Sequence, residues 1–298
     1  MKLHTDHHFI IGHSHIGNGK PCQDHALSGT IMPSQDAPQR AYAVISDGCS
    51  NGANTDIGSR LITTSTVKAI HTILRYHSKI QPEHPERIYE LSGVFAHSAA
   101  EFMGIDKLDM LATQLFAVVD QNGKGFVSVY GDGAIAIIDV EGGMTIHSYE
   151  WSRNMPFYPH EDRQKFIAHH GGKDALALTQ RSLQITPDGE ITMDADFVFS
   201  VEGGTNGITL FFDVKDNNFD NKTAFVCLFS DGVQQVDKMT MIEAVKALTA
   251  FKTLGGDFVK RRLIRFDRDS KRNGTGPVDD LAVAVVAIDH EENEAEDA

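Results

Sequence analysis

Aspartates stand at the ends of apolar segments at four places along the chain. Asp47, Asp132 and Asp231 each follow such a segment and precede a glycine, and the pair Asp279-Asp280 directly precedes the apolar run 281–288. A carboxylate at a strand end is held by the sheet yet points beyond it, and the glycine allows a sharp turn or a close approach. Asp-Gly is also a common turn dipeptide. Its repetition at strand ends favours a site for a hard divalent cation.

Strands and paired helices must position these aspartates in the first half of the chain. Apolar patterning predicts strands over 9–16 and 41–46, a helix over 56–77 with cap candidates Asn54, Thr55 and Asp56, and a second helix opened by Pro85. We expect the two helices to pair. The second helix places apolar residues on one face, namely Ile88, Leu91, Phe95 and Phe102. A hairpin follows, with strands over 115–119 and 126–130 around Asn122-Gly123, and then a strand over 134–140.

The second half begins with a less regular stretch. Residues 150–220 contain short strand-like pieces such as 197–199, and we expect an irregular insertion that borders the site. Strands are predicted over 223–230 and 281–289, with helices capped by Thr240 and Asp257 between them. We expect residues 1–289 to form one domain. The acidic, apolar-poor end of the chain, 290–298, is typical of a disordered tail.

The order of these elements predicts the fold class. Consecutive hairpins with helices arriving in pairs do not fit a parallel βαβ sheet. They fit an α+β fold, a four-layer αββα sandwich of two antiparallel sheets flanked by helix pairs. The carboxylates would then gather at one end of the sandwich.

Composition narrows the possible partners. The net charge of −14 argues against non-specific nucleic-acid binding, which depends on neutralising phosphates. The sequence has no apolar run of membrane-spanning length and no secretion-signal pattern at its N-terminus. The three scattered cysteines, Cys22, Cys49 and Cys227, suggest neither a disulfide framework nor a zinc site, so we expect a cytoplasmic protein. The oligomeric state is left open.

Six segments together resemble the metal-dependent serine/threonine protein phosphatases of type 2C, in particular bacterial members with a Pro-Cys-Gln-Asp segment. In chain order they are 12–15 (Gly-His-Ser-His), 21–26 (Pro-Cys-Gln-Asp-His-Ala), 46–48, 131–133, 230–233 and 279–283. Each segment is weakly specific by itself. Their order and spacing follow the family from about residue 9 to residue 289, and the αββα sandwich is also the fold of that family.

The resemblance implies a metal centre and a reaction. Two Mg²⁺ or Mn²⁺ ions would share Asp47, and one of them would also be held by Asp231, Asp279 and the carbonyl of Gly48. Asp24 would serve the second ion through water. A water held between the metals would attack the phosphorus of a phosphoprotein directly, so no nucleophilic cysteine or serine is required.

Three positions depart from the family pattern. Gly19 stands where an arginine often holds the substrate phosphate, which leaves Lys20 as the phosphate-binding candidate. Cys49 stands where some members have a histidine acid, so His13 or His15 could substitute, and His15 is our candidate. A third metal in some members uses Asp132 and an acid four residues beyond Asp231. Because that position is Gln235, a third metal is in doubt.

Other functions remain open at the level of sequence. The chain could be a phosphatase-fold module with weak or lost catalysis that binds a phosphoprotein or a regulatory partner, as Gly19, Cys49 and Gln235 suggest. It could instead hydrolyse a small phosphate ester chosen by the 150–220 insertion. The aspartates could also be purely structural.

Overall fold

The computed structural model describes residues 1–32, 38–50, 52–159, 161–170, 177–200, 207–214 and 222–290. Its helices are α1 (His13–Asn18), α2 (Thr55–Leu74), α3 (His84–Met103), α4 (Arg163–His170), α5 (Met241–Thr249) and α6 (Phe258–Arg272). The first strands are β1 (Lys2–Ile10), β2 (His25–Ile31), β3 (Arg40–Ser46), β4 (Gln114–Asp120), β5 (Lys124–Tyr130), β6 (Gly133–Asp139) and β7 (Met144–Trp151). The later strands are β8 (Ala177–Ile185), β9 (Ile191–Met193), β10 (Phe197–Ser200), β11 (Ile208–Asp213), β12 (Thr223–Phe229) and β13 (Leu281–Asp289).

Two antiparallel sheets form the centre of the molecule. One has the order β1-β13-β12-β6-β7-β8-β10, with β9 also paired to β8, and the other has the order β11-β5-β4-β3-β2. Apolar side chains from both sheets form a shared core between them. The pair α2 and α3 packs on the outer face of the five-stranded sheet, and α5 and α6 pack on the outer face of the eight-stranded sheet. The predicted αββα sandwich is therefore confirmed.

The N-terminal strand was predicted at the wrong position. The sequence suggested a strand over 9–16, whereas β1 ends at Ile10 and α1 begins at His13. Repeated polar residues along β1 obscure the apolar pattern that would indicate a strand. The strand lies at the end of its sheet and pairs along its whole length with β13. The backbone N–H groups of His13 and Ser14 donate to carbonyls in the segment before β13, at 3.1 and 3.0 Å. These contacts satisfy donors at the start of α1 that a strand would have used in pairing.

The α2–α3 pair and the following hairpin agree with the sequence. Pro85 lies in the first turn of α3, and Gly123, with φ of 95°, makes the predicted turn between β4 and β5. One residue of the predicted apolar face of α3 is not buried. Phe102 is 91% exposed, whereas Ile88 and Ala100 of the same helix are buried.

The stretch 150–220 is more regular than expected. It contains α4 and four strands, of which β8 pairs along its length with β7 and extends the eight-stranded sheet. The predicted strand at 197–199 is present as β10. Most residues of β8 are only half-buried, so buried and exposed positions do not alternate clearly along the strand. The sequence therefore shows no clear strand periodicity there.

The last two helices differ in how their N-termini are capped. Thr240 caps α5, as the sequence predicts, and it does so in a reciprocal capping box with Glu243. Asp257 occupies the cap position of α6 but makes no side-chain cap bond. Asp6 of β1 accepts instead from the backbone N–H groups of Val259 and Lys260, at 2.6 and 3.1 Å. The cap therefore comes from the opposite end of the chain, which sequence spacing does not reveal.

Within the described ranges, none of the helices combines the length and the apolar character needed to cross a membrane. From residue 291 onward, the predicted tail 290–298 lies outside the described residues.

Candidate metal centre

Asp47 follows β3, and a neighbouring segment holds its backbone in place. The Asp47 N–H donates to Oγ1 of Thr113 (3.0 Å), and the Thr113 N–H donates back to the Asp47 carbonyl (2.8 Å). Gly48 lies against the start of α2, where a Cβ atom would come within 2.6 Å of the Thr55 carbonyl oxygen. The glycine thus permits a close approach of protein backbone, and the aspartate is presented on a fixed loop.

Asp231 and Asp279 come from adjacent strands of the eight-stranded sheet. Asp231 follows β12 and Asp279 precedes β13, and these strands pair in antiparallel register. A Cβ atom on Gly232 would come within 1.9 Å of the Asp280 carbonyl oxygen, so only glycine allows the two strand ends to approach this closely. The pairing brings the two aspartates, separated by 48 positions in sequence, to one edge of the sheet.

Asp24 reaches the same edge from the segment before β2. Its side chain is 1% exposed, and its Oδ2 accepts a hydrogen bond from Oγ of Ser230 at 2.6 Å. Ser230 in turn accepts from the backbone N–H of Ala282 at 2.9 Å. The serine therefore links Asp24 to both β12 and β13.

Asp132 lies in the short crossover from one sheet to the other. β5 ends at Tyr130 in the five-stranded sheet, and β6 begins at Gly133 in the eight-stranded sheet. Gly131 and Gly133 have φ of 103° and 132°, which side chains rarely tolerate. This crossover buries Asp132 close to the other aspartates.

The carboxyl groups crowd one another. The carboxyl group of Asp47 contacts those of Asp24 and Asp231. Burial raises the pKa of all three, and repulsion from neighbouring carboxylates raises the pKa further. Burial, together with repulsion from Asp231, raises the pKa of Asp132 to about 8. The cluster is therefore unfavourable as a set of bare anions.

A divalent cation would suit the chemistry of this donor set, and within the described residues the group of three ligand atoms that all lie within 4.8 Å of one another is that of His15, Asp279 and Asp280. Two buried oxygens, Oδ1 of Asp24 and Oδ1 of Asp231, accept no hydrogen bond from any donor in the described part of the chain. Carboxylate and carbonyl oxygens are the ligands that Mg²⁺ and Mn²⁺ prefer, and a cation would compensate the crowded negative charge.

His15 lies beside this cluster, next to the carboxyl group of Asp280. Its Nδ1 is 2.9 Å from Oδ2 of Asp280, and its Nε2 is 3.8 Å from Oδ1 of Asp279. Asp280 is 2% exposed and also accepts from the backbone N–H groups of Gly12 (2.7 Å) and Gln23 (2.6 Å). Asp280 thus attaches the segment that carries His15 and Asp24 to the start of β13. The other candidate, His13, lies on the exposed side of α1, 3.8 Å from Asp237.

The positions that depart from the family pattern have visible structural roles. Gln235 donates from Nε2 to Oδ2 of Asp231 (2.9 Å) and lies 3.5 Å from Oδ2 of Asp279. Gly19 ends α1 in the left-handed conformation, with φ of 66°, which explains a glycine there. Lys20 is at the edge of the site, where its Nζ donates to the carbonyl of Ser50 at 2.9 Å.

The structure adds residues that the sequence analysis did not single out for a role. Ser230 and Asp280 lie inside the quoted segments, and their positions next to Asp231 and Asp279 were the available signal. Tyr158 belongs to the 150–220 stretch, and its hydroxyl contacts Cys49 near Asp47 and Asp132. No spacing rule connects Tyr158 with those residues.

Comparison with known proteins gives one family match. The family model described as protein phosphatase 2C matches residues 11–266. No curated protein matches the chain in sequence.

Several solved structures share the fold at low sequence identity. A chain with the PP2C phosphatase domain and a fragment of the regulatory domain of SpoIIE from Bacillus subtilis is 14% identical with a TM-score of 0.52, and the match covers 98% of this chain and 65% of that one. The serine/threonine phosphatase PstP from Mycobacterium tuberculosis is 13% identical with a TM-score of 0.51, covering 97% of this chain and 100% of that one. Stp1 from Staphylococcus aureus is 13% identical with a TM-score of 0.52, covering 97% and 96%. The present chain thus spans 65% of the SpoIIE chain, and at these identities the likeness is one of fold.

Proposed function

Because the chain belongs to the protein phosphatase 2C family of protein serine/threonine phosphatases, we propose that it hydrolyses phosphoserine and phosphothreonine in phosphoproteins with the help of divalent metal ions. The observation that carries this proposal is the meeting of Asp24, Asp47 and Asp231 at one end of the sandwich, with raised pKa values and unused buried oxygens. Such a cluster is costly unless cations compensate it.

The proposed metal ligands divide between two ions. Asp47 would be shared, Asp231, Asp279 and the Gly48 carbonyl would hold one ion, and Asp24 would serve the other. Bound Mg²⁺ or Mn²⁺ would supply Lewis acidity for the attack of water on phosphorus. Asp132 is buried nearby and would bind a third ion weakly, because Gln235 offers an amide where a second carboxylate would be needed.

The remaining residues would handle the substrate and its proton. Lys20 would attract the phosphate as a point charge once it leaves the Ser50 carbonyl. His15 would give a proton from Nε2 to the leaving oxygen, with the Asp280 carboxylate, 2.9 Å from Nδ1, stabilising the protonated ring. The short segment between them would keep acid and phosphate-binding groups on the same side of the cluster.

Removing the charge of Asp47 tests this function most directly. In Asp47→Asn, metal-dependent hydrolysis of an aryl phosphate should fall at least about 100-fold, because the shared ligand is lost. The metal-free variant should melt at a higher temperature than the metal-free wild type, because repulsion with Asp24 and Asp231 is relieved. Both are measured with Mn²⁺ and with EDTA.

Asp188→Asn, in the exposed turn between β8 and β9, removes the same charge away from the cluster and should change neither quantity. If the folded wild type shows no metal-dependent turnover under any condition, the phosphatase proposal is rejected.

One observation favours a second candidate, a phosphatase-fold module with little catalysis. Gln235 donates to Asp231 where an acid would strengthen metal binding, and Cys49 stands where a histidine acid would be. Such a module would bind Mn²⁺ in a calorimeter and retain a phosphopeptide without hydrolysing it. Turnover of the same phosphopeptide would exclude it.

We also propose that residues 1–289 act as one domain, in which the part from 150 to 220 borders the site and influences substrate choice. The support is Tyr158, which comes from this part of the chain and lies near Asp47 and Asp132. The three cysteines are free, which supports a reducing compartment such as the cytoplasm.

A further inference from the structure

Tyr158 lies at the carboxylate cluster although it comes from a part of the chain that carries none of the metal-ligand candidates. Its side chain is half-buried, and its hydroxyl contacts the thiol of Cys49. The carboxyl groups of Asp47 and Asp132 are close enough to interact with the hydroxyl electrostatically. Cys49 is two residues after Asp47, so the tyrosine faces the loop that presents the proposed shared ligand.

An aromatic cluster fixes the position of the segment that carries this tyrosine. Phe157 is 1% exposed, and its ring centroid lies 6.3 Å from that of Trp151 and 5.1 Å from that of Phe166. The indole N–H of Trp151 donates to the Gly131 carbonyl at 2.9 Å, one residue before Asp132. The segment is thus tied to the same crossover that holds Asp132.

A local turn orders the backbone around the tyrosine. The Tyr158 N–H donates to Oε2 of Glu161 at 3.2 Å, and the Glu161 N–H donates to the Tyr158 carbonyl at 3.2 Å. Phe157 is buried on one side of Tyr158 and this turn follows on the other, so the backbone is held on both sides of the residue. The backbone that carries the Tyr158 hydroxyl is therefore ordered beside Cys49.

The hydroxyl is a neutral donor in a site crowded with carboxylates. Burial, together with Cys49 and the nearby Asp132 and Asp47 carboxyl groups, raises the pKa of Tyr158, so the proton stays on the oxygen at neutral pH. A phosphate group brought to this cluster would meet mostly acceptors and needs donors. The thiol of Cys49 is only a weak acceptor, so the hydroxyl can be redirected to a phosphoryl oxygen at little cost.

We propose that Tyr158 is a substrate-contacting residue whose hydroxyl donates a hydrogen bond to a phosphoryl oxygen of the bound phosphomonoester. This rests on the proposed function only in taking a phosphomonoester as the ligand. The residue would bind the phosphate group before and after hydrolysis, so its contribution belongs to affinity for phosphate. It would also explain why the site can lack an arginine at Gly19.

The alternative is that Tyr158 only packs the loop against Cys49. The substitution Tyr158→Phe separates the two roles, because the ring and its packing are kept while the hydroxyl is removed. Thermal unfolding should be the same as for the wild type. Tyr149→Phe is a matched control, since Tyr149 is fully buried and its hydroxyl has no partner in the described part of the chain.

The primary measurement is calorimetric titration of the Mn²⁺-loaded protein with inorganic phosphate. Loss of a hydrogen bond to a charged group should weaken phosphate binding by Tyr158→Phe about tenfold or more, while Tyr149→Phe binds like the wild type. In turnover of 4-nitrophenyl phosphate, KM should rise by the same factor with kcat nearly unchanged.

Phosphate affinity within twofold of the wild type in Tyr158→Phe overturns the inference, as does a wild type that binds no phosphate. Failure of the proposed function gives a different result. If the wild type binds phosphate through Tyr158 but turns over no ester, Tyr158 keeps its assignment while the phosphatase proposal fails. If the wild type is active and Tyr158→Phe has the same phosphate affinity and KM, the phosphatase proposal stands and the assignment of Tyr158 fails.

Discussion

At the scale of single residues, the site is defined by charges that the folded chain does not neutralise by itself. Asp24, Asp47 and Asp231 are brought into contact, and Ser230 and Gln235 supply only neutral donors. Replacing a neutral donor by another carboxylate should therefore have opposite effects with and without metal.

Gln235→Glu tests this balance. Without metal, the variant should lose about 1–2 kcal/mol of unfolding free energy, because the amide hydrogen bond to Asp231 is replaced by repulsion. With Mn²⁺ the added carboxylate should raise metal affinity several-fold. Chemical denaturation with EDTA and calorimetric titration with Mn²⁺ measure the two effects.

Gln234→Glu is the matched control, because it adds the same charge one residue earlier, at a side chain for which no contact with Asp231 is described. It should leave Mn²⁺ affinity close to that of the wild type. Equal Mn²⁺ affinity in both variants and the wild type would mean that residue 235 does not face the ions.

Several site residues could be predicted because their signal is local. The repeated Asp-Gly pairs after apolar segments indicate Asp47, Asp132 and Asp231 directly. Tyr158 carries no such signal, because its place depends on the packing of Phe157 against Trp151, which no local sequence pattern indicates.

At the scale of helices and strands, the ends of elements decide both the fold and its response to pH. His84, in the first turn of α3, is fully buried, and its Nδ1 accepts from the backbone N–H of Gln81 at 3.0 Å. Burial lowers the pKa of His84 to about 4 from its ordinary 6.5. His77 lowers the pKa further, Glu83 opposes this, and Arg87 and Arg40 add smaller lowering effects. The ring is therefore neutral in the folded state at neutral pH.

The expected consequence is a loss of stability in acid. Between pH about 6.5 and about 4 the unfolded chain binds a proton that the folded chain does not, so the unfolding free energy decreases as pH falls. One such histidine contributes a slope of at most about 1.4 kcal/mol per pH unit. His84→Gln should flatten the slope in urea unfolding measured from pH 7 to pH 4.5.

His97→Gln, another histidine of α3, serves as the comparison and should keep the wild-type slope. Burial also lowers the pKa of other histidines, such as His71 and His147, so the slope should be reduced and not removed. A slope unchanged by His84→Gln would show that this ring is protonated in the folded state.

Element boundaries could be predicted where capping is local and not where it is distant. Thr240 and Glu243 mark α5 within four residues of sequence, and the structure contains that capping box. The cap of α6 comes from Asp6, and the first turn of α1 is satisfied by carbonyls at 277 and 278. Such partners are known only once the sheets are assembled, which is why the N-terminal strand was misplaced.

At the scale of the whole molecule, the sandwich makes one site from segments spread over most of the chain. Asp47 follows β3 of the five-stranded sheet, and Asp132 lies where the chain crosses to the other sheet. In that sheet Asp231 follows β12 and Asp279 precedes β13. The layer order could be predicted because helices arrive in pairs between hairpins. The extension of the eight-stranded sheet by β8 could not, because half-buried strands lack clear alternation.

The measurement that tests the central claim most directly is anomalous diffraction from crystals grown with Mn²⁺. The account predicts two strong anomalous peaks on either side of the Asp47 carboxylate, one near Asp231 and Asp279 and one near Asp24, with weak or no density at Asp132. In crystals of Asp47→Asn both peaks should weaken together. Manganese bound elsewhere, with no peak between Asp24 and Asp231 in the wild type, would contradict the account.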